Sequence, residues 1–366
     1  MQPALEQTLQ HLARLVACDS RNPPRSISAG GPLFDYLRQQ LQGFAISMQD
    51  HGQGCISMLA VRGQPRTVFN FHLDTVPANE KWSMDPLSLQ LQDQRAYGLG
   101  TCDIKGAAAA MLSAANRSAG PLALLFSSDE EAGNSTCIRR FLASEHGFTR
   151  AIIAEPTQAL AVCAHRGIST AEFEFSGIPG HASAARAIDD SAIHRAVEWS
   201  ASVLAFVRAH QDLEFENLRG LRFNIGQISG GIKPNMIADR ASLTLGLRTL
   251  PGQDGETLLQ ELAELCPAAR PAGYTPRFLA PALPDALHGQ AGLSANRALA
   301  KELGLPLGPA VDFWTEAALF GQAGLAVLVY GSGDIAQAHT ADEWVAVEQL
   351  ATVTTTYERL ISHGHN

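Results

Sequence analysis

The first half of the chain alternates between helical and strand-like hydrophobic patterns. Leu5, Leu9 and Leu12 recur at helical spacing, so the chain is predicted to begin with an amphipathic helix. Short apolar runs bounded by glycine and polar residues are typical of strands, and they occur at 45–48, 56–61, 67–71, 121–126 and 151–154. Further helices are predicted at 33–41 and 107–115. This alternation indicates an α/β layer with a largely parallel sheet.

The pattern changes near residue 165. Strand-like segments lie at 169–175, 221–228, 241–247 and 274–279, with helical patterns at 187–208 and 255–265. This β-α-β-β-α-β order is that of a ferredoxin-like unit. A helix, a buried strand and a closing helix then follow at 294–303, 326–330 and 347–361. We therefore predict an α/β protein: a mixed, largely parallel sheet flanked by helices (residues 1–164 and 283–366), interrupted by an inserted α+β domain (residues 165–282).

Composition narrows the possible functional classes. The 366 residues are 46% hydrophobic and 17% charged, which is ordinary for a globular protein. The longest purely apolar runs, 107–112 and 325–330, are far shorter than the ~20 residues that a membrane span needs. The net charge is −9 without a basic cluster, so neither nucleic acid nor a membrane is an expected partner. Six scattered cysteines without a C-x-x-C pair predict a reduced, cytoplasmic enzyme.

Acidic and histidine side chains lie where predicted strands end. The segments are FHLD (71–74), GTCDIKG (100–106), SDEEAG (128–133) and AEPT (154–157), and a fifth, QAHT (337–340), follows the last strand. Ligands of open α/β sheets bind beyond the carboxyl ends of the strands, so these segments are expected to meet in one cleft. Two histidines with three or more carboxylates form a hard ligand set, suited to zinc, cobalt or manganese.

Each segment also has a structural interpretation when it is taken alone. Asp103 precedes a predicted helix and would serve as its N-cap. Glu130 and Glu131 have the character of a solvated loop pair, and His339 that of an ordinary loop histidine. The common position at strand ends favours the functional interpretation.

The motifs resemble those of a known enzyme family. HLDTVP, GLGTCDIKG, SSDEEAG, AEPT and QAHTADEW, in that order, resemble the dinuclear-zinc amidohydrolases that include acetylornithine deacetylase and succinyl-diaminopimelate desuccinylase. PGHAS (179–183) and GGIKPNMIADRASLTLGLR (230–248) resemble the inserted domain of that family, so the likeness covers nearly the whole chain. TCDIKG, EPT and TEA (315–317) favour the acetylornithine deacetylase branch, which includes enzymes that prefer acetylcitrulline.

The resemblance implies a centre of two divalent metal ions, zinc or cobalt, in each subunit. Asp103 would bridge the two ions. One ion would take His72 and Glu155, and the other Glu131 and His339. Three carboxylates and a bridging hydroxide would balance the charge of the ions, so the cluster can be buried.

The resemblance also implies the catalytic groups around this centre. Glu130 would be the general base, which takes a proton from water and passes it to the leaving amine. Successive residues of an extended segment point to opposite sides, so Glu131 can reach a metal while Glu130 faces the water. Asp74 would orient His72. In the family the peptide bond after the bridging aspartate is cis, which here is the bond between Asp103 and Ile104.

Three residues of the inserted domain are implied in substrate recognition. His181 would reach the active site of the partner subunit and help hold the oxyanion, which requires a homodimer built through this domain. Asn235 and Arg248 correspond to substrate contacts, and Arg248 suits an α-carboxylate. The sequence departs from the family pattern at Gly246, where an acidic residue often stands two places before this arginine.

The leading interpretation is hydrolysis of a small N-acyl amino acid. N-acetyl-L-citrulline or N-acetyl-L-ornithine would yield acetate and the free amino acid in arginine biosynthesis. A di- or tripeptidase or a carboxypeptidase of the same family is the alternative among enzymes. A catalytically silent binding homologue is the alternative of another class, and it would lack a ligand or the base, which this chain retains. An ornithine ammonium needs a carboxylate partner and a citrulline ureido group needs neutral partners, and the sequence leaves this choice open.

Overall fold

The computed structural model describes residues 3–132 and 135–363, so Gly133, the last residue of the SSDEEAG motif, lies outside the described residues. Two units make up the chain. The first comprises the described residues of Met1–Cys163, Ser294–Gly308 and Thr315–Asn366, and the second comprises Ala164–Leu293 and Pro309–Trp314. Among the described helices, none has both the length and the apolar character needed to cross a membrane.

The described residues form ten α-helices, and those of the first unit flank its sheet. The α-helices are α1 (Pro3–Val16), α2 (Pro32–Gln40), α3 (Lys105–Arg117), α4 (Thr136–Leu142), α5 (Ala187–Asp190), α6 (Ala192–Ala209), α7 (Gly255–Ala263), α8 (Gly289–Glu302), α9 (Ala317–Gln322) and α10 (Val347–Ser362). Short 3₁₀ helices occur at Pro267–Ala269 and Ile335–Gln337.

The strands form two larger sheets and several small ones. They are β1 (Ala45–Asp50), β2 (Ile56–Arg62), β3 (Thr67–His72), β4 (Gln90–Gln92), β5 (Arg95–Tyr97), β6 (Leu122–Ser127), β7 (Arg150–Ile153), β8 (Ile168–Ser176), β9 (Gly180–His181), β10 (Glu214–Phe215), β11 (Leu218–Arg219), β12 (Arg222–Gly230), β13 (Met236–Ile237), β14 (Arg240–Arg248), β15 (Gly273–Ala280), β16 (Ala326–Val329) and β17 (Trp344–Ala346).

The central sheet of the first unit has the order β1-β2-β6-β3-β7-β16. Strands β6, β3, β7 and β16 are parallel, and β1 and β2 are antiparallel to their neighbours. Every residue of β3 and β6 is buried, which explains the nearly continuous apolar sequence of β6, while β3 also buries the polar residues Thr67, Asn70 and His72. The predicted mixed, largely parallel sheet is confirmed.

Helix α3 is buried from Lys105 to Ala115 and packs against α1 and α10. Its run of alanines permits this close approach, because a larger side chain would need space that the neighbouring helices occupy. Gly106 is required at the start of the helix, because a Cβ atom there would lie 2.3 Å from the carbonyl oxygen of Thr101. The start of α3 is therefore packed tightly against the loop that precedes it.

The second unit contains a four-stranded antiparallel sheet of order β12-β14-β8-β15. In chain order these are its second, third, first and fourth long strands, which is the ferredoxin-like arrangement that the sequence predicts. Alternate residues of β8, including Phe173 and Phe175, are buried and pack with Trp199 of α6. The indole N–H of Trp199 donates to the carbonyl oxygen of Leu262 at 2.9 Å.

Two local predictions differ from the structure. The helix predicted over 187–208 is interrupted at Ser191, which is extended and caps α6 by accepting the N–H of His194. The Asp103 segment follows β5, which belongs to a separate sheet of order β17-β5-β4, and not a strand of the central sheet. Strands β4, β5 and β17 are three residues long and are defined by their pairing with one another, so the local hydrophobic pattern does not predict them.

Candidate metal centre and active site

Four parallel strands of the central sheet lead to candidate ligands at the same edge. His72 is the last residue of β3, and Glu155 is the second residue after the end of β7. Glu130 and Glu131 come shortly after β6, and His339 lies in the loop after β16. Because the carboxyl ends of parallel strands lie at one edge of a sheet, these residues meet beyond it.

Asp103 lies between the two histidines. Its Oδ1 atom is 2.9 Å from Nε2 of His72, and its Oδ2 atom is 3.4 Å from Nε2 of His339. Ile104 occupies the N-cap position of α3, so the Asp103 side chain does not cap that helix. The peptide bond between Asp103 and Ile104 is cis, as predicted.

The remaining carboxylates divide between the two histidines. Nε2 of His72 lies 3.9 Å from Oε1 of Glu155. Nε2 of His339 lies 3.1 Å from Oε2 of Glu131. Donor atoms of His72, Asp103 and Glu131 all lie within 4.8 Å of one another. The structure thus brings together all five residues that the sequence suggests as ligands.

Asp74 contacts this cluster in two ways. Its carbonyl oxygen is 3.2 Å from Nδ1 of His72, and its Oδ1 atom is 3.6 Å from the same nitrogen. Its carboxylate also accepts the backbone N–H groups of Glu130 at 3.3 Å and Glu131 at 3.0 Å. An Nδ1–H that donates to the Asp74 carbonyl leaves Nε2 of His72 available as a ligand atom.

Burial raises the pKa of each glutamate in the cluster. The pKa values of Glu130 and Glu155 lie well above the ordinary value, and that of Glu131 is raised as well. Neighbouring carboxylates add to these shifts, because several negative charges share a volume with little water. Positive charge placed among these carboxylates would therefore stabilise their ionised forms.

The histidines and Asp103 show the complementary shifts. Burial alone would lower the pKa of His72, but hydrogen bonds to Asp103 and Asp74 outweigh it and raise the pKa well above the ordinary value. Hydrogen bonds to Asp103 and Glu131 raise the pKa of His339 to about 11. Burial alone would raise the pKa of Asp103, but its bonds to His339 and His72 outweigh this and lower it.

These observations fit a divalent metal centre. The cluster offers imidazole nitrogens and carboxylate oxygens, which are the ligands that zinc and related ions take in proteins. It is mostly buried and rich in negative charge, so bound cations would provide the missing compensation.

The structure adds two residues near the N-terminus that sequence reasoning missed. The side-chain amide of Asn22 donates to Oδ2 of Asp74 at 2.9 Å. The guanidinium of Arg25 donates to Oδ1 of Asn22 and to the carbonyl oxygen of Ala132, next to Glu131. Both residues belong to the segment NPPR (22–25), which lies beyond the end of α1 and far in sequence from Asp74 and Ala132, so no local pattern linked it to the site.

Glu343 is a third residue that had no predicted role. It is buried and accepts the backbone N–H groups of Gly100, Cys102 and Asp103. It lies inside the QAHTADEW motif, four residues after His339. Its position close to His339 was the only hint in the sequence of a role at the site. The loop that it binds, which carries Asp103, is more than two hundred residues away in sequence.

The three predicted substrate residues lie in the second unit. His181 in β9 is exposed, and β9 pairs with β13, which begins directly after Asn235. The carbonyl oxygen of Asn235 accepts the N–H of Ala182 at 3.1 Å, so His181 and Asn235 are neighbours. Arg248 ends β14 opposite Arg222, and burial lowers its pKa. Gly246 pairs with Asn224 on one side and Thr170 on the other.

Residues 68–363 match the sequence model of peptidase family M20/M25/M40. The chain belongs to this family. Membership confirms the resemblance stated from the motifs, and with it the prediction of an enzyme of the amidohydrolase and metallopeptidase type.

Curated relatives match the full length of this family member. It is 49% identical to N-acetyl-L-citrulline deacetylase of Xanthomonas campestris pv. campestris, over 100% of both chains. It is 31% identical to acetylornithine deacetylase of Myxococcus xanthus, over 99% of this chain and 97% of the relative.

Solved structures show the same fold. The aminopeptidase PepT of Bacillus cereus aligns over 99% of both chains with a TM-score of 0.74 and 17% identity. A dinuclear metal binding peptidase of the M20 family from Bacillus subtilis aligns over 99% of this chain and 98% of its own, with a TM-score of 0.64 and 14% identity.

Proposed function

We propose that the protein is a metal-dependent deacetylase that hydrolyses the amide bond of an N-acetyl amino acid in cytoplasmic arginine biosynthesis. The observation that carries the hydrolytic part is Asp103, whose two carboxylate oxygens each face one histidine. The full-length identity of 49% with N-acetyl-L-citrulline deacetylase supports N-acetyl-L-citrulline as the substrate, with N-acetyl-L-ornithine as the second choice.

The proposed centre holds two divalent ions, zinc or cobalt. Asp103 would be shared by the two ions, His72 and Glu155 would hold one of them, and His339 and Glu131 would hold the other. When bound, the ions supply Lewis-acid polarisation of the acyl carbonyl and lower the pKa of a water molecule. This division follows the distances within the cluster, which pair His72 with Glu155 and His339 with Glu131.

Glu130 is the proposed general base. Its carboxylate takes a proton from the attacking water and then delivers it to the nitrogen of the leaving amino acid. Its N–H and that of Glu131 both donate to the Asp74 carboxylate, which fixes the turn that separates a base from a ligand. Acetate and the free amino acid are the products.

His181 is the proposed donor to the oxyanion. The backbone N–H of Ser183 donates to Nδ1 of His181 at 3.2 Å, and the Ser183 hydroxyl lies 2.7 Å from the same nitrogen. A ring nitrogen that accepts an N–H carries no proton, so the proton of the neutral ring is on Nε2. Nε2 is then a donor, as oxyanion stabilisation requires. Asn235 and Arg248 are the proposed contacts to the substrate, with Arg248 binding the α-carboxylate.

A homodimer through the inserted domain, residues 165–282, completes the proposal, with residues 1–164 and 283–366 as the catalytic domain. Within the described residues, β12 pairs with β14 alone and lies at the edge of its sheet, where its outer side is open to further pairing. Exposed apolar side chains lie on and near it, with Ile228 56% and Ile232 76% exposed, and Val197 of α6 is 55% exposed. If two copies paired through this surface about a two-fold axis, the edge of β12 and the exposed apolar side chains would both be covered.

A substrate panel tests the proposed activity. We expect the metal-loaded protein to hydrolyse N-acetyl-L-citrulline with a higher kcat/KM than N-acetyl-L-ornithine, N-acetyl-L-methionine or a set of dipeptides. Release of the free amino acid is measured with zinc and with cobalt. A preference for dipeptides would instead identify a peptidase, and the absence of turnover with all of these substrates would contradict the proposal.

Metal binding is expected to release protons near pH 7. Hydrogen bonds to Asp103 and Glu131 raise the pKa of His339 to about 11, so its imidazole carries a proton near pH 7 that a metal ion must displace, and burial also raises the pKa values of Glu131 and Glu155. Affinity should fall as the pH is lowered, because protons compete more strongly below the raised pKa values. Calorimetric titration with Co²⁺ in buffers of different ionisation enthalpy measures the release. A binding enthalpy that is independent of the buffer would contradict it.

A further inference from the structure

One buried carboxylate holds the loop that carries Asp103. Oε1 of Glu343 accepts the N–H of Cys102 at 2.8 Å and that of Asp103 at 3.0 Å, and Oε2 accepts the N–H of Gly100 at 2.9 Å. The carbonyl oxygen of Glu343 also accepts the N–H of Gly98 at 3.0 Å. Glu343 is 2% exposed. Successive backbone N–H groups that converge in this way form a site for an anion, and here the anion is a side chain.

Glu343 thereby joins two ligand-bearing loops. It lies four residues after His339, and β17, which begins directly after it, pairs with β5. The loop between β5 and α3 carries Asp103, whose Oδ2 atom is 3.4 Å from Nε2 of His339. The strand that precedes Asp103 is β5, which belongs to the β17-β5-β4 sheet, so the bonds to Glu343 hold this loop in place of a strand of the central sheet.

We propose that Glu343 is a positioning residue of the metal centre, whose carboxylate holds the 100–103 loop so that Asp103 faces both His72 and His339. It acts through the backbone of Asp103 and so sets the affinity for metal. The inference rests on the proposed function, because it takes these three residues as ligands.

A positioning role and a purely structural role predict different results. If Glu343 only stabilised the fold, substitution would lower the unfolding temperature and leave the metal dissociation constant of the folded protein unchanged. If it positions Asp103, the dissociation constant should rise about 10–100-fold, as is usual when a partner of a metal ligand is lost.

Glu343→Gln is the informative variant. The amide has the size of the carboxylate and its oxygen can keep the N–H groups of Cys102 and Asp103, but its NH₂ group would face the N–H of Gly100. Glu348→Gln is the matched control, because Glu348 undergoes the same change at an exposed position in the first turn of α10. Both variants and the wild type are stripped of metal and titrated with Co²⁺. The readouts are the visible absorption of bound cobalt, metal content and the unfolding temperature.

We expect Glu343→Gln to need about 10–100-fold more Co²⁺ and to show an altered cobalt spectrum, while Glu348→Gln stays within about twofold of the wild type. A folded Glu343→Gln with the wild-type spectrum and affinity would overturn the proposal.

If Glu343→Gln does not fold, Glu343→Asp takes its place, and weakened binding by that folded variant supports the proposal. Unchanged binding by Glu343→Asp, or loss of the fold in both variants, would overturn it by assigning the carboxylate to stability. A wild type that binds no metal would overturn the proposed function and this inference together. A wild type that binds metal but hydrolyses no N-acetyl amino acid would overturn the proposed activity alone.

Discussion

Replacing Glu130 by glutamine is expected to lower kcat by about 10²–10⁴ and to leave the metal content unchanged. Glutamine cannot take the proton of the attacking water, so the loss falls on the chemical step. The proposed ligands His72, Asp103, Glu131, Glu155 and His339 are all retained in this variant. Steady-state kinetics and metal analysis on the same preparation measure the two effects.

Glu131→Gln is the matched control, because it makes the same change one residue further along. It is expected to reduce the bound metal as well as the rate, since Oε2 of Glu131 lies 3.1 Å from Nε2 of His339 within the proposed centre. His339→Ala should behave in the same way. Loss of metal from Glu130→Gln, or near-normal turnover by it, would exclude Glu130 as the base.

The second large effect is recovery of activity on mixing two inactive variants. Glu130→Gln lacks the proposed base, and His181→Ala lacks the proposed oxyanion donor, and loss of such a donor typically costs about 10²–10³ in kcat. If His181 acts in the partner's cleft, a heterodimer has one cleft with an intact Glu130 and an intact His181 from the other subunit. Its second cleft lacks both. With random exchange of equal amounts, activity should approach about one quarter of the wild type per subunit.

The mixing experiment needs proof that subunits exchange. Native mass spectrometry of one isotopically labelled variant shows the heterodimer directly. Heterodimer without recovered activity would exclude a role for His181 across the interface. A monomer that retains full activity would exclude the proposed homodimer as a requirement for catalysis.

Local sequence pattern determined much of the fold, and the resemblance of the motifs to a known family identified the candidate ligands. The apolar runs of β3, β6 and β7 mark strands that are buried on both faces, and the polar residues directly after them mark the carboxyl edge of the sheet. His72, Glu131 and Glu155 can therefore be grouped from the amino-acid sequence alone. The succession of long strands and helices along the second unit can also be predicted from periodicity, because alternating burial, as in β8, is a local property.

Only the tertiary structure decided how these groups face one another. Asp103 is delivered by a loop outside the central sheet, and its two oxygens reach His72 and His339 from different parts of the chain. Glu343 and Asn22 entered the site in the same way, through hydrogen bonds between residues far apart in sequence. Such bonds depend on distances and directions in three dimensions. Hydrophobic periodicity reports which side of an element is buried, and it does not report which buried polar groups meet.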